Sequence, residues 1–449
     1  MPAETPPAPS VPSAGSLSDL AGRAEADYPY LLNLYRELHA APELSGQEVK
    51  TAARMASELE TAGFAVTRGV GGHGVVGVLR NGEGPVLMLR TDMDALPVPD
   101  ETGLPFASAV KARDDAGRDV CVNHACGHDL HMTVFVGTAR ALSGLRDRWK
   151  GTLLLVAQPA EEVGRGARAM LGAGLFTRFP RPDAALALHV CPESPVGTVS
   201  VAGGYVFAGV DSADVRLFGR GGHGAAPHTA VDPVVLAAQV VLAFQTVVSR
   251  ERDPVEPVVL TVGSIQGGTA HNIIPDEVLL RLTLRTYAPE ARTRAMESIR
   301  RICRGIALAG GVPDDRLPRV IFLDNTLPSL HNDPALVRRV VKAFLGAFGP
   351  DAIRPQKPEM IGEDFAFYGR TEPPVPICMF RLGTATATVP PPGASGPPPG
   401  LHSPRFRPDP SAIRTGVTAM TAAALEVLGP GAGKPRMNAD GHGSGKSGF

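Results

Sequence analysis

The segment Cys126–His131 combines one thiol, two imidazoles and one carboxylate, with a glycine between the thiol and the first imidazole. Thiolate and imidazole are preferred ligands of borderline metals such as zinc, and carboxylates also suit manganese. Cys126 and His128 are two positions apart, so in an extended segment both side chains would point to the same side and could bind one metal, or let a thiolate bridge two. A buried cysteine beside a surface histidine is the alternative explanation.

Further donor groups follow the ends of predicted strands. Glu161 and Glu162 come after one apolar run, and His189 ends the next. Open α/β sheets place their functional groups beyond the carboxyl ends of the strands, so we expect these side chains to converge with Cys126 and His128. The sequence therefore predicts a metal site whose ligands come from distant segments.

Adjacent glutamates can divide the work of a hydrolytic metal site. A metal lowers the pKa of a bound water to near neutrality, and a carboxylate that does not bind the metal must take up the proton and pass it to the leaving nitrogen. The side chains of Glu161 and Glu162 diverge, so one can bind metal while the other acts as general base. The predicted reaction is hydrolysis of an amide bond.

The order of predicted elements gives the domain organisation. Strands alternate with helices at both ends of the chain, which predicts a mostly parallel sheet covered by helices on both faces. The middle follows the order β-α-β-β-α-β, which predicts an inserted ferredoxin-like α+β domain. The predicted boundaries are a disordered lead-in, 1–18, a discontinuous catalytic domain, 19–209 and 324–429, an inserted domain, 210–323, and a disordered tail, 430–449.

Composition restricts the class of protein. The chain has 449 residues, 43% hydrophobic and 20% charged, which is typical of a globular protein large enough for two domains. Its net charge of −1 does not favour nucleic acid or an anionic membrane as a partner, and the sequence has no apolar run of about 18 residues that would predict a membrane span. Five scattered cysteines, an odd number, favour reduced thiols and a cytoplasmic location.

Six motifs follow one another along the chain: Leu89–Pro97, Cys126–His131, Gln158–Glu162, Gly221–His228, Asn272–Pro275 and Glu363–Phe365. Together they resemble the metal-dependent amidohydrolases, in particular the branch that includes hippurate hydrolase, N-acyl-amino-acid hydrolases and the plant indole-acetyl-amino-acid hydrolases. The resemblance extends over residues 30–428. It implies a zinc-peptidase-like fold in which the inserted domain serves as a lid or a dimerisation domain.

The resemblance also implies a set of site residues. Two divalent metal ions are expected, manganese or zinc, with cobalt and nickel as further options. By motif, Cys126 would bridge the metals and Glu161 would be the general base, and the remaining protein ligands would be His128, Glu162, His189 and His402. Arg90 stands where the wider superfamily has a ligand histidine, so Asp92 and Asp94 are expected to support the ligands instead of binding metal.

In the inserted domain the resemblance points to substrate contacts. His223 matches a histidine that the family places near the scissile carbonyl, in its own subunit or across a dimer interface, where it would stabilise the developing oxyanion. Asn272 and Arg285 would bind the substrate carboxylate, because a guanidinium pairs with a carboxylate through two hydrogen bonds. Alternatively, these three residues are exposed loop or strand residues without a role in binding. His131 and His228 either support the site or have no role in it.

The predicted function is hydrolysis of small N-acyl amino acids, such as hippurate-like, N-acetyl or indole-acetyl conjugates, by a homodimer or homotetramer. An N-acetyldiaminopimelate-type deacetylase or a dipeptidase is the enzymatic alternative, and a metal-binding regulatory dimer is the alternative without catalysis. The sequence departs from the family pattern in two places near the predicted site. Ile361 replaces a glycine before the acidic pair, and the loop 384–400, which precedes His402, is unusually rich in proline.

Overall fold

The computed structural model describes residues 18–386 and 399–429. The predicted tail, the predicted lead-in apart from Ser18, and most of the Pro-rich loop lie outside these residues. The helices are α1 Ser18–Ala40, α2 Val49–Thr61, α3 His128–Gly144, α4 Gly166–Gly172, α5 Leu175–Arg178, α6 Pro233–Ser249, α7 Pro289–Ala309, α8 Pro334–Phe348 and α9 Ala412–Leu428. Within the described segments, we find no helix with the length and apolarity to cross a bilayer.

The strands, in chain order, are β1 Ala65–Val70, β2 Gly74–Asn81, β3 Val86–Asp92, β4 Lys111–Arg113, β5 Asp119–Cys121, β6 Gly151–Gln158, β7 Ala184–Pro195, β8 Val199–Val201, β9 Gly204–Phe207, β10 Gly209–Phe218, β11 Gly222–His223, β12 Val258–Gln266, β13 Ile273–Ile274, β14 Glu277–Thr286, β15 Arg319–Phe322, β16 Leu330–Asn332, β17 Ile353–Pro355 and β18 Ile377–Ala385. The chain divides into two compact units.

The first unit comprises the described parts of Met1–Gly204, Asn332–Gln356 and Thr371–Phe449. Its eight-stranded sheet has the order β1-β2-β6-β3-β7-β18-β8-β17. The four central strands β6, β3, β7 and β18 run parallel to one another, whereas β2 and β8 pair with the outer two of them in the antiparallel direction. β6 is buried along its whole length. Strands covered on both faces must be apolar throughout, which explains the continuous runs in the sequence. The prediction of a mostly parallel sheet in an α/β fold is confirmed.

The parallel strands carry the site residues to one edge of this sheet. Asp92 at the end of β3 lies opposite Gln158 at the end of β6, and β3 also pairs with β7 in parallel. The chain leaves β6 directly into the acidic pair at 161–162, and β7 contains His189. The helices α1, α3 and α9 pack together on this sheet, and their apolar side chains belong to one large core.

The second unit comprises Tyr205–His331 and Lys357–Arg370. Its four-stranded antiparallel sheet has the order β12-β14-β10-β15, and α6 and α7 supply the helical connections. Along β10 buried positions alternate with half-buried ones, as expected where a sheet is covered on one face. This is the predicted β-α-β-β-α-β arrangement.

Three segments, 205–209, 324–331 and 357–370, lie in a different unit from the one predicted. The sequence-based boundaries assign residues 357–370 to the first domain, whereas the structure groups them with the second unit. The physical reason is backbone pairing, because the Glu359 N–H donates to the Val206 carbonyl and the Ala208 N–H donates to the Ile361 carbonyl, each at 2.9 Å. Ile361 contributes to this pairing through its backbone, which any residue provides.

The start of α2 also differs from expectation. Ser45 with Glu48 three residues later predicts a capping box, but α2 begins at Val49 and has no side-chain cap from its N-cap residue Glu48. The Glu43 carboxylate instead accepts the N–H groups of Lys50 and Thr51, at 3.1 and 2.8 Å. The capping-box prediction is therefore wrong, and the Ser45 and Glu48 side chains make contacts elsewhere.

Candidate metal centre

A tight turn at Gly127 positions the first two donors. Gly127 has φ +80°, and α3 begins at the next residue, so Cys126–His128 is not the extended segment that the sequence analysis expected. A side chain at Gly127 would place its Cβ 2.8 Å from Val190 Cγ2, so the position needs glycine for space as well as for backbone conformation. The turn puts the Cys126 thiol beside the first turn of α3.

The predicted donors come together within the first unit. The ligand atoms of Cys126, His128 and His189 all lie within 4.8 Å of one another, and those of Cys126, Glu162 and His402 do so as well. Cys126 Sγ is 3.5 Å from His189 Nε2, and Glu162 Oε1 is 3.8 Å from His128 Nε2. Because Cys126 belongs to both groups, its thiol stands between two sets of donors.

The hydrogen bonds of two histidines leave one nitrogen of each for a metal. His128 Nδ1 lies 2.8 Å from the Asp94 carbonyl oxygen, and His189 Nδ1 lies 2.9 Å from the Val190 carbonyl oxygen. A carbonyl can only accept, so both Nδ1 atoms donate, and the lone pair of each ring is on Nε2. Metal-binding histidines are commonly fixed in this way.

Unpartnered buried atoms provide a further test of the site. His128 Nε2 and Glu162 Oε1 are buried and make no hydrogen bond, an arrangement that costs free energy unless another group completes it. Soft, borderline and hard donors are all present in Cys126, the histidines and Glu162, and this set suits a transition-metal ion or zinc. The residues therefore fit the divalent metals that the sequence implies.

His131 lies close to these donors but has no lone pair to offer. Its Nδ1 donates to Asp92 Oδ1 at 2.7 Å, and its Nε2 accepts the Val190 N–H at 3.0 Å. The other oxygen of Asp92 accepts from Arg90 Nη1 at 2.7 Å. Both nitrogens of His131 are thus occupied, and a buried chain of hydrogen bonds runs from Arg90 to the backbone next to His189.

Three of the donors, a thiol, a carboxyl and an imidazole, have raised pKa values when no cation is present. Burial, together with the charge of Glu162, raises the pKa of the Cys126 thiol well above its ordinary value. Burial also raises the pKa of Glu162 to about 7. The pKa of His128 is raised as well, because the charge of Asp92 and the contact with Asp94 outweigh the opposing effect of burial. A bound dication must displace these protons, so its affinity falls as the pH falls.

Two further contacts fix the remaining donors. Asp94 Oδ2 accepts the backbone N–H of Glu162 at 2.9 Å and the hydroxyl of Ser45 at 2.6 Å. The backbone N–H of His402 donates to the Ala125 carbonyl at 2.8 Å, and His402 Nε2 lies 3.5 Å from Glu162 Oε2. The Pro-rich loop before His402 therefore does not prevent it from reaching the other donors, although 54% of its side chain is exposed.

The predicted substrate-binding residues lie in the second unit. His223 is exposed and its Nδ1 accepts the Ala225 N–H at 3.0 Å. Asn272 is also exposed, and its carbonyl accepts the Gly224 N–H at 2.8 Å, which places it next to His223 on a two-stranded ribbon. Arg285 is on β14 in the larger sheet, where it donates to the Met360 carbonyl at 2.8 Å. The structure thus brings His223 and Asn272 together and places Arg285 on a separate sheet.

Sequence reasoning missed two groups of residues around the donors. The buried carboxylate of Glu48 accepts the N–H of Ala160, directly before the acidic pair, at 2.8 Å. His39 lies between Asp100 and Asp129 in a second buried cluster. Both groups are made by contacts over long sequence separations, so no local pattern identifies them.

Comparison with known proteins gives the family. Residues 88–426 match peptidase family M20/M25/M40. N-acetylcysteine deacetylase of Bacillus subtilis is 35% identical over 80% of this chain and 90% of its own. N-acetyldiaminopimelate deacetylase of Leuconostoc citreum is 34% identical over 88% of this chain and 96% of its own.

Solved structures agree with this assignment. A Bacillus subtilis protein described as a dinuclear metal binding peptidase from the M20 family superposes with a TM-score of 0.74, at 30% identity, over 90% of this chain and 99% of that one. The predictions of a metal-dependent amidohydrolase and of a zinc-peptidase-like fold are confirmed. The chain belongs to peptidase family M20/M25/M40.

Proposed function

We propose that this protein hydrolyses the amide bond of N-acyl amino acids at a pair of divalent metal ions. The observation that carries the proposal is the convergence of two overlapping groups of donor atoms that share the Cys126 thiol. A single metal would not need both groups, and without metal neither His128 Nε2 nor Glu162 Oε1 makes a hydrogen bond.

We assign the ligands that the family resemblance implies: Cys126, His128, Glu162, His189 and His402 would hold the two ions, with the Cys126 thiolate shared between them. Zinc suits the thiolate and imidazole donors and manganese suits the carboxylate, with cobalt and nickel as further options. When bound, the ions supply positive charge that lowers the pKa of a coordinated water and polarises the amide carbonyl.

Glu161 is the proposed general base. Its carboxylate lies within 4.8 Å of donor atoms of His128 and Glu162. Asp94 holds the backbone of Glu162, and His402 lies beside the Glu162 carboxylate, so Glu162 is the better placed of the two glutamates for binding metal. Glu161 then takes a proton from the attacking water and delivers it to the leaving nitrogen.

For the second unit we propose the roles that the family resemblance implies. His223 stabilises the oxyanion, from its own subunit or from a partner, and Asn272 and Arg285 bind the substrate carboxylate. The exposed imidazole of His223 supports this role, because a hydrogen-bond donor must reach the substrate. Arg285 already donates one hydrogen bond to a backbone carbonyl, and the fork of its guanidinium has other N–H groups for a carboxylate.

The second unit also supports the proposed homodimer or homotetramer. Helix α6 contains no charged residue, and its outward face exposes Val235 by 52% and Leu242 by 71%. Exposed apolar side chains grouped on one helix face are often part of a protein–protein interface. A second copy of the same surface would cover this face, so we expect assembly through α6, with Leu242→Lys shifting the mass measured by light scattering towards the monomer.

The relatives bear on the acyl group. Two of them are named for N-acetyl substrates, N-acetylcysteine and N-acetyldiaminopimelate, which favours a small acyl group and keeps a diaminopimelate-type deacetylase as the second candidate. A dipeptidase would use the same metals and base, but the acyl group of its substrate would be an aminoacyl group, which carries a free amino group. A regulatory metal-binding dimer would have no use for Glu161.

A substrate panel tests the proposal. The protein is reconstituted with Mn²⁺ or Zn²⁺, and its metal content is measured before N-acetyl, N-benzoyl and indole-acetyl amino acids are offered. Metal-dependent release of the free amino acid is the expected result. A protein that binds two metals per chain but turns over none of these amides, nor N-acetyldiaminopimelate nor a dipeptide, would contradict the proposed hydrolysis.

A further inference from the structure

The buried carboxylate of Glu48 joins the turn before α2 to the chain that leaves β6. One oxygen, Oε1, accepts two backbone N–H groups, from Gly46 and from Ala160, each at 2.8 Å. Glu48 has no exposed surface, and its second oxygen makes no hydrogen bond. Burial of a carboxylate costs free energy unless hydrogen bonds compensate for the lost water. The two hydrogen bonds at Oε1 therefore indicate a specific structural role for Glu48.

Ala160 has an unusual backbone conformation. Its φ is +53°, a left-handed value that costs a non-glycine residue free energy. The Ala160 carbonyl accepts the N–H groups of Arg165 and Gly166, both at 3.1 Å, so hydrogen bonds hold the residue on both sides. The next two residues are the proposed base, Glu161, and the proposed ligand, Glu162.

The neighbouring contacts support the same arrangement. Ser45, three residues before Glu48, donates to Asp94 Oδ2, and this oxygen also accepts the Glu162 N–H. The turn before α2 therefore contacts the acidic pair from two sides, through Glu48 at Ala160 and through Ser45 and Asp94 at Glu162. Burial and the nearby Asp94 charge raise the pKa of Glu48 to about 7, so the surroundings disfavour its charged form.

We infer that Glu48 is a positioning residue for catalysis: by accepting the Ala160 N–H it holds the left-handed turn that aims Glu161. The inference rests on the proposed role of Glu161 as the base. It requires an acceptor at Oε1 and does not require negative charge. Glutamine at this position keeps the acceptor and replaces the unpartnered oxygen with an amide nitrogen, whereas alanine removes both.

Three variants test the inference: Glu48→Ala, Glu48→Gln and the control Glu58→Ala. Glu58 is a buried glutamate within α2, and it bonds to Tyr30 and Arg54, so its loss perturbs the helix without touching the turn at Ala160. The first measurement is amide hydrogen exchange of the peptide that contains Ala160, in the metal-free and the metal-loaded protein. Glu48→Ala should speed exchange there about tenfold, while the other two variants leave it near wild type.

The second measurement separates kcat from KM. Misplacing a catalytic group by about an ångström costs roughly a hundredfold, so Glu48→Ala should lower kcat by roughly thirtyfold to a hundredfold with KM and metal content nearly unchanged. Glu48→Gln should restore most of kcat, and Glu58→Ala should keep it. Unchanged exchange in Glu48→Ala would overturn the inference, as would an equal loss of kcat in Glu48→Gln. The exchange result does not depend on activity, so it stands even if the proposed reaction is wrong.

Discussion

Two buried histidine clusters lie on either side of the first turn of α3, and they differ in how their nitrogens are used. His39 donates through both nitrogens to carboxylates, at 2.7 Å to Asp129 and 3.0 Å to Asp100. In the candidate metal centre, His128 and His189 each use Nδ1 on a backbone carbonyl, and Nε2 faces other donor atoms. Burial is alike in the two clusters, so it does not identify a metal site.

The difference is one of charge balance. Between two carboxylates the His39 imidazole completes its own cluster, because an imidazolium has two N–H groups and each aspartate accepts one. The metal centre instead gathers a thiol, two lone pairs and carboxylates, all of which need a positive partner. Substitutions should therefore affect metal and activity in one cluster and only stability in the other.

The largest expected effect comes from Glu161→Gln. Loss of the general base should lower kcat by about a thousandfold, because a positioned acid or base contributes 10²–10⁴. Two metals per chain should remain, since Glu161 is not a proposed ligand. Atomic absorption on the purified variant measures the metal content per chain, and steady-state turnover measures kcat. If the variant loses metal while Glu162→Gln keeps it, the two glutamates have the opposite roles.

Cys126→Ser should act on metal more than on the fold. A hydroxyl is a poor replacement for a bridging thiolate, so metal affinity should fall roughly a hundredfold or more, with little change in the thermal midpoint of the metal-free protein. Cys378→Ser is the matched control, because this thiol is equally buried but lies on β18 away from the donors. A Cys126→Ser protein that retains both metals would show that the thiol does not bridge.

Local sequence patterns predicted the strand ends that carry the donors, because apolar runs followed by polar groups are local. Glu161 and Glu162 do follow the end of β6, but His189, which was predicted to end a strand, lies inside β7. The donor atoms of both segments lie close to those of His128. The turn at Gly127 was not predicted, because Val190, which leaves no space for a side chain there, comes from β7, far away in sequence.

Contacts between distant segments limited the prediction in other places. Glu48 satisfies a local capping pattern, yet its carboxylate bonds to an amide 112 residues away. His39 finds Asp129 across 90 residues. In sequence, residues 357–370 lie between two segments of the first unit, but Glu359 pairs with Phe207 on β9 of the second unit. Such partners become visible only when the chain is folded.

Substitution of His39, in the cluster with Asp100 and Asp129, should lower the stability of the protein and leave its metal affinity nearly unchanged. His39→Gln leaves two buried carboxylates without their cation, so the free energy of unfolding of the metal-free protein should fall by about 3 kcal/mol. Metal affinity should stay within a fewfold of wild type, because His39 has no lone pair facing the donors. Urea unfolding and metal titration measure the two quantities. Equal damage to both would mean that the clusters act as one unit.

The smallest expected effect is the pH dependence of the stability that His39 provides. Burial lowers the pKa of His39, but the hydrogen bond and charge of Asp129 outweigh burial and raise the pKa above its ordinary value. A raised pKa means that the folded protein holds the proton more tightly than the unfolded chain. The stabilisation is therefore complete below the unfolded pKa of about 6.5 and is lost as the pH rises through the folded value. The gap in unfolding free energy between wild type and His39→Gln should be widest near pH 6 and should narrow towards pH 9. A gap that widens with pH would show that His39 is neutral in the folded protein, and the proposed contrast between an ion cluster and a metal cluster would then fail.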